Sequence, residues 1–324
     1  MKLLFEVSGE HPDLPFAEIE CVGRIIDRRE RVGVAECPDP AATTRLALTH
    51  TVMEYLGECE PTAAGISALL RNLSITTDRP FAARVKVIPG PLARPSQLDL
   101  ERLIGGLISG PVNLRSPEIV YRAILSEDRC YLGRVMYADL RGPYENRRPI
   151  TRPYFHPGVM MPRMARAMLN LSGVMPGEVL CDPFCGTGGM LEEAGWIGVR
   201  AIGSDFDREM IRGSRLNVPA ADLMLADATA LPLRDRSVEA VVTDLPYGQS
   251  VCIRADTLTR LYEGAMVEMD RILKEGRRAV VITHLDIREI ARHHFTILQF
   301  HEQRVHKSLT RRILVLEKKK PVTG

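Results

Sequence analysis

The spacing of apolar residues changes partway along the chain, and this change predicts two regions of different architecture. In the first region, residues 43–60 place apolar side chains at helical spacing after a threonine, which predicts a helix. Residues 81–88 alternate as a strand does, and residues 97–108 fit a second helix. Residues 119–125 and 130–136 then read as two strands. This order of helices and strands predicts a small α+β domain.

From residue 162 onward, short apolar runs alternate regularly with amphipathic helices. Residues 162–171 fit a helix with proline in its first turn. The predicted strands that follow are 179–182, 201–205, 223–226, 238–244, 279–283, 296–302 and 311–317, with helices at 190–196, 208–217 and 262–273. Strands that alternate with helices predict an α/β domain with a mostly parallel sheet. The last two strands follow one another directly, which predicts one antiparallel edge strand.

A segment rich in proline and arginine, residues 138–158, separates the two regions. It contains four prolines, two glycines and four arginines. Proline fixes its own φ and disfavours a helical conformation in the residue before it, so we expect an extended linker here.

The overall composition is typical of a folded globular protein. The chain has 324 residues, of which 45% are hydrophobic and 26% are charged. This length predicts two domains, and the apolar fraction excludes a disordered chain. An apolar run of about 18 residues, the minimum for a membrane span, is absent from the sequence. The N-terminal residues become acidic too soon for a secretory signal, so we expect a cytoplasmic protein.

The cysteines indicate buried thiols and no metal site. Their number is odd, their spacing is scattered, and no pair has the C-x-x-C spacing of zinc ligands. We therefore expect neither a zinc site nor a disulfide framework. The seven residues are Cys21, Cys37, Cys59, Cys130, Cys181, Cys185 and Cys252.

The charge is nearly balanced over the whole chain but is concentrated near the C-terminus. A formal net charge of +2 argues, taken alone, against a nucleic-acid binder. Residues 277–320, however, carry 11 basic and 4 acidic side chains, and arginine outnumbers lysine 36 to 7 in the chain. The planar fork of arginine matches phosphate, although a GC-rich genome or a hot habitat would produce the same bias. The local excess predicts docking of a folded RNA at a basic C-terminal face.

A Gly-rich turn at residues 182–189 is the first candidate for chemistry, because it joins a predicted strand to a helix. Glycines let the backbone approach a ligand closely, and the helix start supplies free N–H groups. The next strand ends in Asp205, whose carboxylate can accept both hydroxyls of a ribose. The third strand ends in Asp227, which can accept from an adenine amine or can simply cap a turn.

These features predict an adenosine-containing ligand at the carboxyl ends of the strands, and they leave open a dinucleotide or S-adenosylmethionine (SAM). The candidate cofactor-binding residues are Asp182, Pro183, Phe184, Cys185, Gly186, Thr187, Gly188, Asp205, Asp227, Ala228 and Asp244.

The fourth strand ends in a motif that resembles the (Asp/Asn)-Pro-Pro-(Tyr/Phe) signature of amino-group methyltransferases. Its residues, which are the catalytic candidates, are Asp244, Leu245, Pro246 and Tyr247. The exocyclic amine of a base is a poor nucleophile, since its lone pair is delocalised into the ring. A carboxylate and a backbone carbonyl that accept its two N–H bonds localise that lone pair. Pro246 fixes the loop, and Tyr247 offers a ring on which a base can stack. Leu245 replaces the first proline of the signature, but its carbonyl is retained.

Taken together, the motifs resemble a tRNA (guanine-N2)-methyltransferase of the THUMP-containing class, and most closely the archaeal enzymes that modify guanosine 10. The likeness covers nearly the whole chain. Its carriers, besides the strand-end motifs, are residues 81–86 and 131–133 of a THUMP-like region, 148–157 and 161–166 before the catalytic domain, and a closing motif at 304–311.

The resemblance implies a domain order and a reaction. The implied domains are an N-terminal ferredoxin-like region (1–45), a THUMP RNA-binding domain (46–137), the linker (138–158) and a Rossmann-type SAM methyltransferase domain (159–324). The implied reaction is SAM-dependent transfer of one or two methyl groups to N2 of guanosine 10 in tRNA. Some relatives work with a small zinc-binding activator subunit, which makes such a subunit a candidate partner.

The residues of the motifs distinguish this function from some alternatives and are shared with others. Methylation at another tRNA position such as 6, or of rRNA, would use the same catalytic motif. A non-catalytic THUMP RNA-binding protein would have an eroded Gly-rich turn or no catalytic carboxylate, and both are intact here. An NAD-dependent oxidoreductase would need a helix-opening G-x-G-x-x-G turn and has no use for the Asp244 motif. Of the remaining residues, His156 either shapes a pocket or closes a turn, and Trp196 is expected in the core.

Overall fold

The computed structural model describes residues 1–89, 96–247, 255–306 and 309–319. The chain forms two compact units, Met1–Arg141 and Gly142–Gly324. Within the described residues, no helix is both long enough and apolar enough to span a membrane. Some residues considered above lie outside the described ranges, namely Cys252 and, in the closing motif, Lys307 and Ser308.

The first unit is built on a mixed sheet, which has seven strands within the described residues. In chain order its elements are β1 (Lys2–Val7), α1 (Leu14–Glu20), β2 (Arg24–Arg29), β3 (Val32–Glu36), β4 (Thr49–Cys59), α2 (Ala63–Leu73), β5 (Phe81–Val87), α3 (Gln97–Leu107), β6 (Ile119–Ser126) and β7 (Arg129–Tyr137). The strand order is β2-β3-β1-β4-β7-β6-β5, and β5 and β6 run parallel. Because β1 pairs with β4, residues on both sides of position 45 belong to one sheet.

The helix expected over residues 43–60 is wrong. These residues form the end of a 3₁₀ turn, Pro40–Arg45, and then strand β4. Strand β4 lies between β1 and β7, where its backbone groups find partners on both sides. Its start is rich in β-branched residues such as Thr49, Thr51 and Val52, which favour a pleated strand. The apolar spacing alone fitted both structures.

The second unit is an α/β domain, as the alternation of strands and helices predicts. Its elements are α4 (Pro162–Ser172), β8 (Val179–Asp182), α5 (Gly189–Trp196), β9 (Arg200–Asp205), α6 (Arg208–Asn217), β10 (Asp222–Leu225), β11 (Val238–Asp244), α7 (Ala255–Ile272), β12 (Leu273–Thr283), α8 (Arg288–His294), β13 (Phe295–His306) and β14 (Leu309–Lys318). The strand order is β10-β9-β8-β11-β12-β14-β13.

The sheet of this unit is parallel from β10 to β12 and antiparallel at its far end. Strand β14 runs antiparallel to β12, and β13 pairs with the outer side of β14. The antiparallel strand expected at the edge therefore lies one position inside it. Chain order reverses between the neighbours β8 and β11, and such a reversal opens a crevice at the carboxyl ends of the strands.

The predicted extended linker is also wrong in its middle part. Residues Gly142–Arg147 and Pro149–Thr151 form 3₁₀ turns packed on the second unit. Nε of Arg147 lies 2.8 Å from Oε1 of Glu193, a fully buried carboxylate on α5. Nη2 of Arg166, on α4, lies 2.7 Å from Oε2 of the same carboxylate. A buried carboxylate is stable only when it is paired, so this pairing holds the segment against the helices.

Trp196 is not in the core. Its side chain is 63% exposed at the end of α5. The guanidinium of Arg147 lies 5.0 Å from the centre of its ring, within cation–π range. The ring therefore contributes to the attachment of the 3₁₀ segment.

Candidate functional site

A cleft of about 440 Å³ lies at the carboxyl ends of β8 and β11, at the reversal of chain order. One wall is the segment before α4, including His156, and another is the Gly-rich turn between β8 and α5. The predicted site residues that line the cleft are Asp182, Phe184, Cys185, Gly186, Thr187, Asp244, Leu245 and Tyr247. The structure thus brings the two strand-end motifs together in one place.

The Gly-rich turn has the conformation that its glycines predict. Gly186 and Gly188 have φ angles of +51° and +87°, in the left-handed region that side chains disfavour. A Cβ at Gly188 would also lie 2.7 Å from Oγ of Ser214 on α6. The backbone N–H of Gly186 donates to Oδ2 of Asp205 over 2.9 Å. These contacts fix the turn at the start of α5.

Asp182 lies at the base of the cleft and is only 2% exposed. Its Oδ1 accepts hydrogen bonds from the Thr243 hydroxyl at 2.7 Å and from the Phe184 N–H at 3.2 Å. Burial raises the pKa of Asp182 to about 7, although both hydrogen bonds act to lower it. Near neutral pH this carboxyl is therefore balanced between its acid and its anion.

Asp205 lies beside the Gly-rich turn at the end of β9. Besides the bond from Gly186, its Oδ1 accepts from the N–H of Asp207 at 2.9 Å. Burial raises the pKa of Asp205, and these backbone donors oppose the rise. A carboxylate has about four acceptor positions, so capacity for ligand hydroxyls remains. The next side chain, Phe206, is 83% exposed.

Asp227 and Ala228 do not line the cleft. Oδ1 of Asp227 accepts from both N and Oγ1 of Thr229 at 2.8 Å, which is the capped turn considered as its alternative role. Ala228 is buried in the core with Leu231 and Tyr262. Their binding of an adenine ring stays a prediction.

Asp244 ends β11 and faces the cleft together with Tyr247. The Tyr247 hydroxyl donates to Oδ1 of Asp244 over 2.8 Å. Burial raises the pKa of Asp244 to about 6, while Arg311 and this hydrogen bond act to lower it. Burial also raises the pKa of the Tyr247 phenol, with the Asp244 charge as a further cause. At pH 7 the carboxylate is therefore mainly ionised and the phenol keeps its proton.

Two residues distant in sequence hold the ring of Tyr247. Nε of Arg311, on β14, donates to the Tyr247 hydroxyl over 3.4 Å. The ring of His284, just after β12, lies 4.9 Å from the Tyr247 ring at an angle of 45°. Neither residue was among the predicted site residues, although Arg311 belongs to the closing motif.

The loop carbonyls of the motif differ in their partners. The hydroxyl of Tyr262, a fully buried residue on α7, donates to the Pro246 carbonyl over 2.6 Å. The N–H of Leu245 donates to Ile282 at 2.9 Å, and its side chain is buried in the core. Leucine therefore keeps the backbone carbonyl that proline would have next to Asp244, and it adds an N–H that proline lacks and that bonds to Ile282.

The second unit matches a known family. Residues 149–313 fit the family described as UPF0020: RMKL-like, methyltransferase domain. The tRNA (guanine(10)-N2)-dimethyltransferase of Methanothermobacter thermautotrophicus is 33% identical over 98% of this chain and 100% of the relative. The enzyme with the same name from Pyrococcus abyssi is 30% identical over 96% of this chain and 98% of the relative.

Among solved structures, the crystal structure of TrmN from Thermus thermophilus is similar over almost the entire chain. Its TM-score is 0.55 at 19% identity, with 98% of this chain and 100% of that chain covered. At this identity the likeness concerns the fold. The prediction of a Rossmann-type α/β domain preceded by a further α+β region is confirmed.

Proposed function

The chain belongs to the family of tRNA (guanine(10)-N2)-dimethyltransferases, and we propose that it methylates the exocyclic N2 amine of guanosine 10 in tRNA. It is a SAM-dependent methyltransferase that acts on guanosine N2 in tRNA. The position in the tRNA and the transfer of two methyl groups are the parts that we propose from the names of the relatives. The observation that supports the chemistry is the pairing of Asp244 with Tyr247 across the cleft from the Gly-rich turn.

The residues of the cleft fit SAM. Oγ1 of Thr187 is buried and has no hydrogen-bond partner among the described residues, so a ligand can supply one. Gly188 has no space for a side chain. The carboxyls of Asp182 and Asp205 lie beside the turn and carry negative charge in their ionised forms, although burial raises the pKa of both. SAM carries a methyl group on a positively charged sulfur, and that group is what the reaction transfers. We propose that the turn 182–188, Asp205, Asp227, Ala228 and Asp244 hold it.

We propose that Asp244 orients the amine of the target guanine. Its ionised carboxylate accepts one N–H of the amine, and the Leu245 carbonyl accepts the other. The nitrogen lone pair is then directed out of the ring system toward the methyl group. The nitrogen gains the methyl group and loses one proton, for which the Asp244 carboxylate is the nearest acceptor. Positioning and electrostatics supply most of the rate gain in such a displacement.

The remaining assignments concern how the RNA is held. Guanosine 10 must leave its stack to enter the cleft, which costs a few kcal/mol, and the half-buried Tyr247 ring offers a stacking surface in return. We propose that the first unit contains the THUMP domain and grips the tRNA. The basic residues between 277 and 319 add attraction for phosphate. The zinc-binding activator subunit and the cytoplasmic location stay predictions.

A pair of tRNA transcripts tests this function. One carries guanosine at position 10, and the other carries inosine there, which lacks the N2 amine. With methyl-labelled SAM, we expect N2-methylated guanosine from the first transcript and no label at position 10 of the second. Label only at position 6, or label only in rRNA when rRNA is supplied in a parallel reaction, would contradict the proposed position. Absence of N2-methylguanosine from every RNA would contradict the function.

The role of Asp244 has its own test. Asp244→Ala should lower the transfer rate by at least about 100-fold, since it removes the acceptor that orients the amine. The dissociation constant for SAM should change by no more than about threefold, because other residues provide most of that site. Full residual activity would refute the role of Asp244.

A further inference from the structure

Three side chains form a line of hydrogen bonds into the cleft. Arg311 Nε donates to the Tyr247 hydroxyl over 3.4 Å, and that hydroxyl donates to Oδ1 of Asp244 over 2.8 Å. Arg311 belongs to the antiparallel strand β14, whereas the other two residues follow from β11. The C-terminal hairpin of the sheet therefore contributes a cation to the candidate catalytic motif.

We propose that Arg311 is a positioning residue for methyl transfer, which orients the Tyr247 hydroxyl and keeps the Asp244 carboxylate ionised. The proposal rests on the proposed function, because Asp244 acts as the acceptor of the amine only there. Arg311 acts on the amine through the other two residues. We therefore expect Arg311 to affect the ionisation and orientation of the Asp244 carboxylate, which accepts the amine.

The direction of the hydrogen bonds follows from the chemistry of the three groups. A guanidinium can only donate, so the Tyr247 oxygen has to accept from it. The single phenolic proton is then free to point toward Oδ1 of Asp244. Oδ2 is left for an N–H of the substrate. Without Arg311, the phenol could rotate its proton elsewhere, and the carboxylate would lose part of its fixed orientation.

The charge of Arg311 matters because the surroundings of Asp244 favour the neutral acid. Burial raises the pKa of Asp244. The neighbouring Asp182 supplies no compensating positive charge, and the charge of Asp244 is one cause of the raised pKa of Asp182. His284, against the Tyr247 ring, offers little positive charge, since burial and Arg312 lower its pKa. The titratable groups that interact with Asp244 are Asp182 (β8), Tyr247 (the motif loop), Tyr262 (α7) and Arg311 (β14). His284 (after β12) packs on the Tyr247 ring, and His156 lines the same cleft. Within the described residues, Arg311 is the cation that lowers the pKa of Asp244.

The pH dependence of single-turnover methyl transfer, at saturating SAM and tRNA, tests the proposal. Rates under these conditions follow the ionisation of groups in the bound complex. Arg311→Gln removes the charge, so the acid limb of the profile should move to higher pH by about 0.5–1 unit. The rate on the plateau should fall by about tenfold or more, because the phenol is no longer held. Arg311→Lys keeps the charge, so its acid limb should stay while the plateau falls.

The neighbouring strand offers a matched control. Arg304 on β13 is exposed and carries the same charge on the same hairpin. Arg304→Gln should leave the acid limb in place, whatever its effect on KM for tRNA. If Arg304→Gln moves the limb as far as Arg311→Gln does, the effect is one of overall charge and the proposal is wrong.

A double-mutant cycle tests whether the effect passes through Tyr247. Tyr247→Phe should also move the acid limb upward, because it removes a hydrogen bond to the carboxylate. In the double variant, the shift of the acid limb should be clearly smaller than the sum of the two single shifts. This is expected when one residue acts on the carboxylate through the other. If Arg311→Gln does not fold, the cycle is measured with Arg311→Lys on the plateau rate: Arg311→Lys and Tyr247→Phe should each lower it, and their combined effect should be less than additive. Fully additive effects on the plateau would then contradict the proposal.

The possible failures are distinguishable. Wild-type protein that produces no N2-methylguanosine at any pH would overturn the proposed function. Active wild-type protein, together with Arg311 variants that keep the wild-type acid limb and plateau, would overturn only the role of Arg311.

Discussion

The hydroxyl of Thr243 donates a 2.7 Å hydrogen bond to Oδ1 of Asp182, and both residues are buried. Asp182 ends β8, and Thr243 is the penultimate residue of the adjacent strand β11. The bond therefore joins the strand that leads into the Gly-rich turn to the strand that leads into the catalytic motif. It lies at the point where chain order reverses and the cleft opens.

Loss of this bond should weaken the binding of SAM. Thr243→Val removes the hydroxyl at nearly constant volume, so the pKa of Asp182, now about 7, should rise further. The neutral acid attracts a cationic ligand less, and a shift of one pKa unit corresponds to about a tenfold change in equilibrium. We expect the dissociation constant at pH 7, measured by titration calorimetry, to rise by about five- to tenfold. Thr243→Ser keeps the hydroxyl, so its dissociation constant for SAM should stay within about twofold of the wild-type value. An equal loss of SAM affinity in both variants would contradict this explanation.

The contribution of Asp182 to stability without ligand should fall as pH rises between about 4 and 7. Its pKa is about 7 when folded and about 3.9 in an unfolded chain. Between these values the unfolded state loses the proton that the folded state keeps, so unfolding becomes easier by up to about 1.4 kcal/mol per pH unit. The side chain of Asp182→Asn cannot ionise. The free energy of unfolding should therefore fall less between pH 4 and pH 8 in this variant than in the wild type. Urea unfolding at both values measures this, and identical pH dependence in the two proteins would disprove it.

Two glycines at opposite ends of α5 should respond oppositely to alanine. Gly188 has a φ of +87°, and a Cβ there would meet Ser214 at 2.7 Å and Val218 at 2.9 Å. Gly188→Ala should therefore destabilise the protein by about 2–3 kcal/mol and weaken SAM binding. Gly195 in α5 has no atom within 4 Å of an added Cβ. Gly195→Ala should leave stability unchanged or raise it by up to about 1 kcal/mol. Thermal unfolding measures the stability of both variants. Similar losses of stability in the two variants would contradict the role of the turn.

The buried carboxylate that holds the 3₁₀ segment should be essential for stability. Glu193→Gln leaves the buried guanidinium of Arg166 and the partly exposed guanidinium of Arg147 without their counter-charge. Removal of one partner of a buried ion pair costs about 3–5 kcal/mol. The exposed pair of Arg148 with Glu145 provides the control, and Arg148→Gln should cost no more than about 1 kcal/mol. Chemical unfolding measures the stability of both variants. If Glu193→Gln and Arg148→Gln show equal, small losses of stability, the 3₁₀ segment is held in another way.

Much of the second unit was predictable because its strands and helices follow one another closely along the chain. Strand β8, the Gly-rich turn and α5 follow each other within 18 residues, and the same holds for β9 with α6. In a parallel sheet the strands end at a common edge, so the aspartates that end β8, β9 and β11 had to lie near one another. The candidate cleft and most of its lining follow from this rule.

The first unit was less predictable because non-local pairing decides its structure. The apolar spacing of residues 43–60 fits a helix and a strand equally, and strand β4 exists because β1 and β7 supply its hydrogen-bond partners. Such partners are distant in sequence, and no local pattern shows them. The proline-rich segment is similar, since its packing depends on Glu193, more than 40 residues away.

The order of the elements, the glycines of the turn and the carboxylates at the strand ends are written in the chain itself, because each follows from local conformation and spacing. The pairing of Arg311 with Tyr247 across 64 residues is not. It arises only when β14 pairs with β12 and the Arg311 guanidinium comes within 3.4 Å of the Tyr247 hydroxyl. Contacts of this kind set the charge and orientation of Asp244, since ionisation in a buried site depends on every group that folding brings near it.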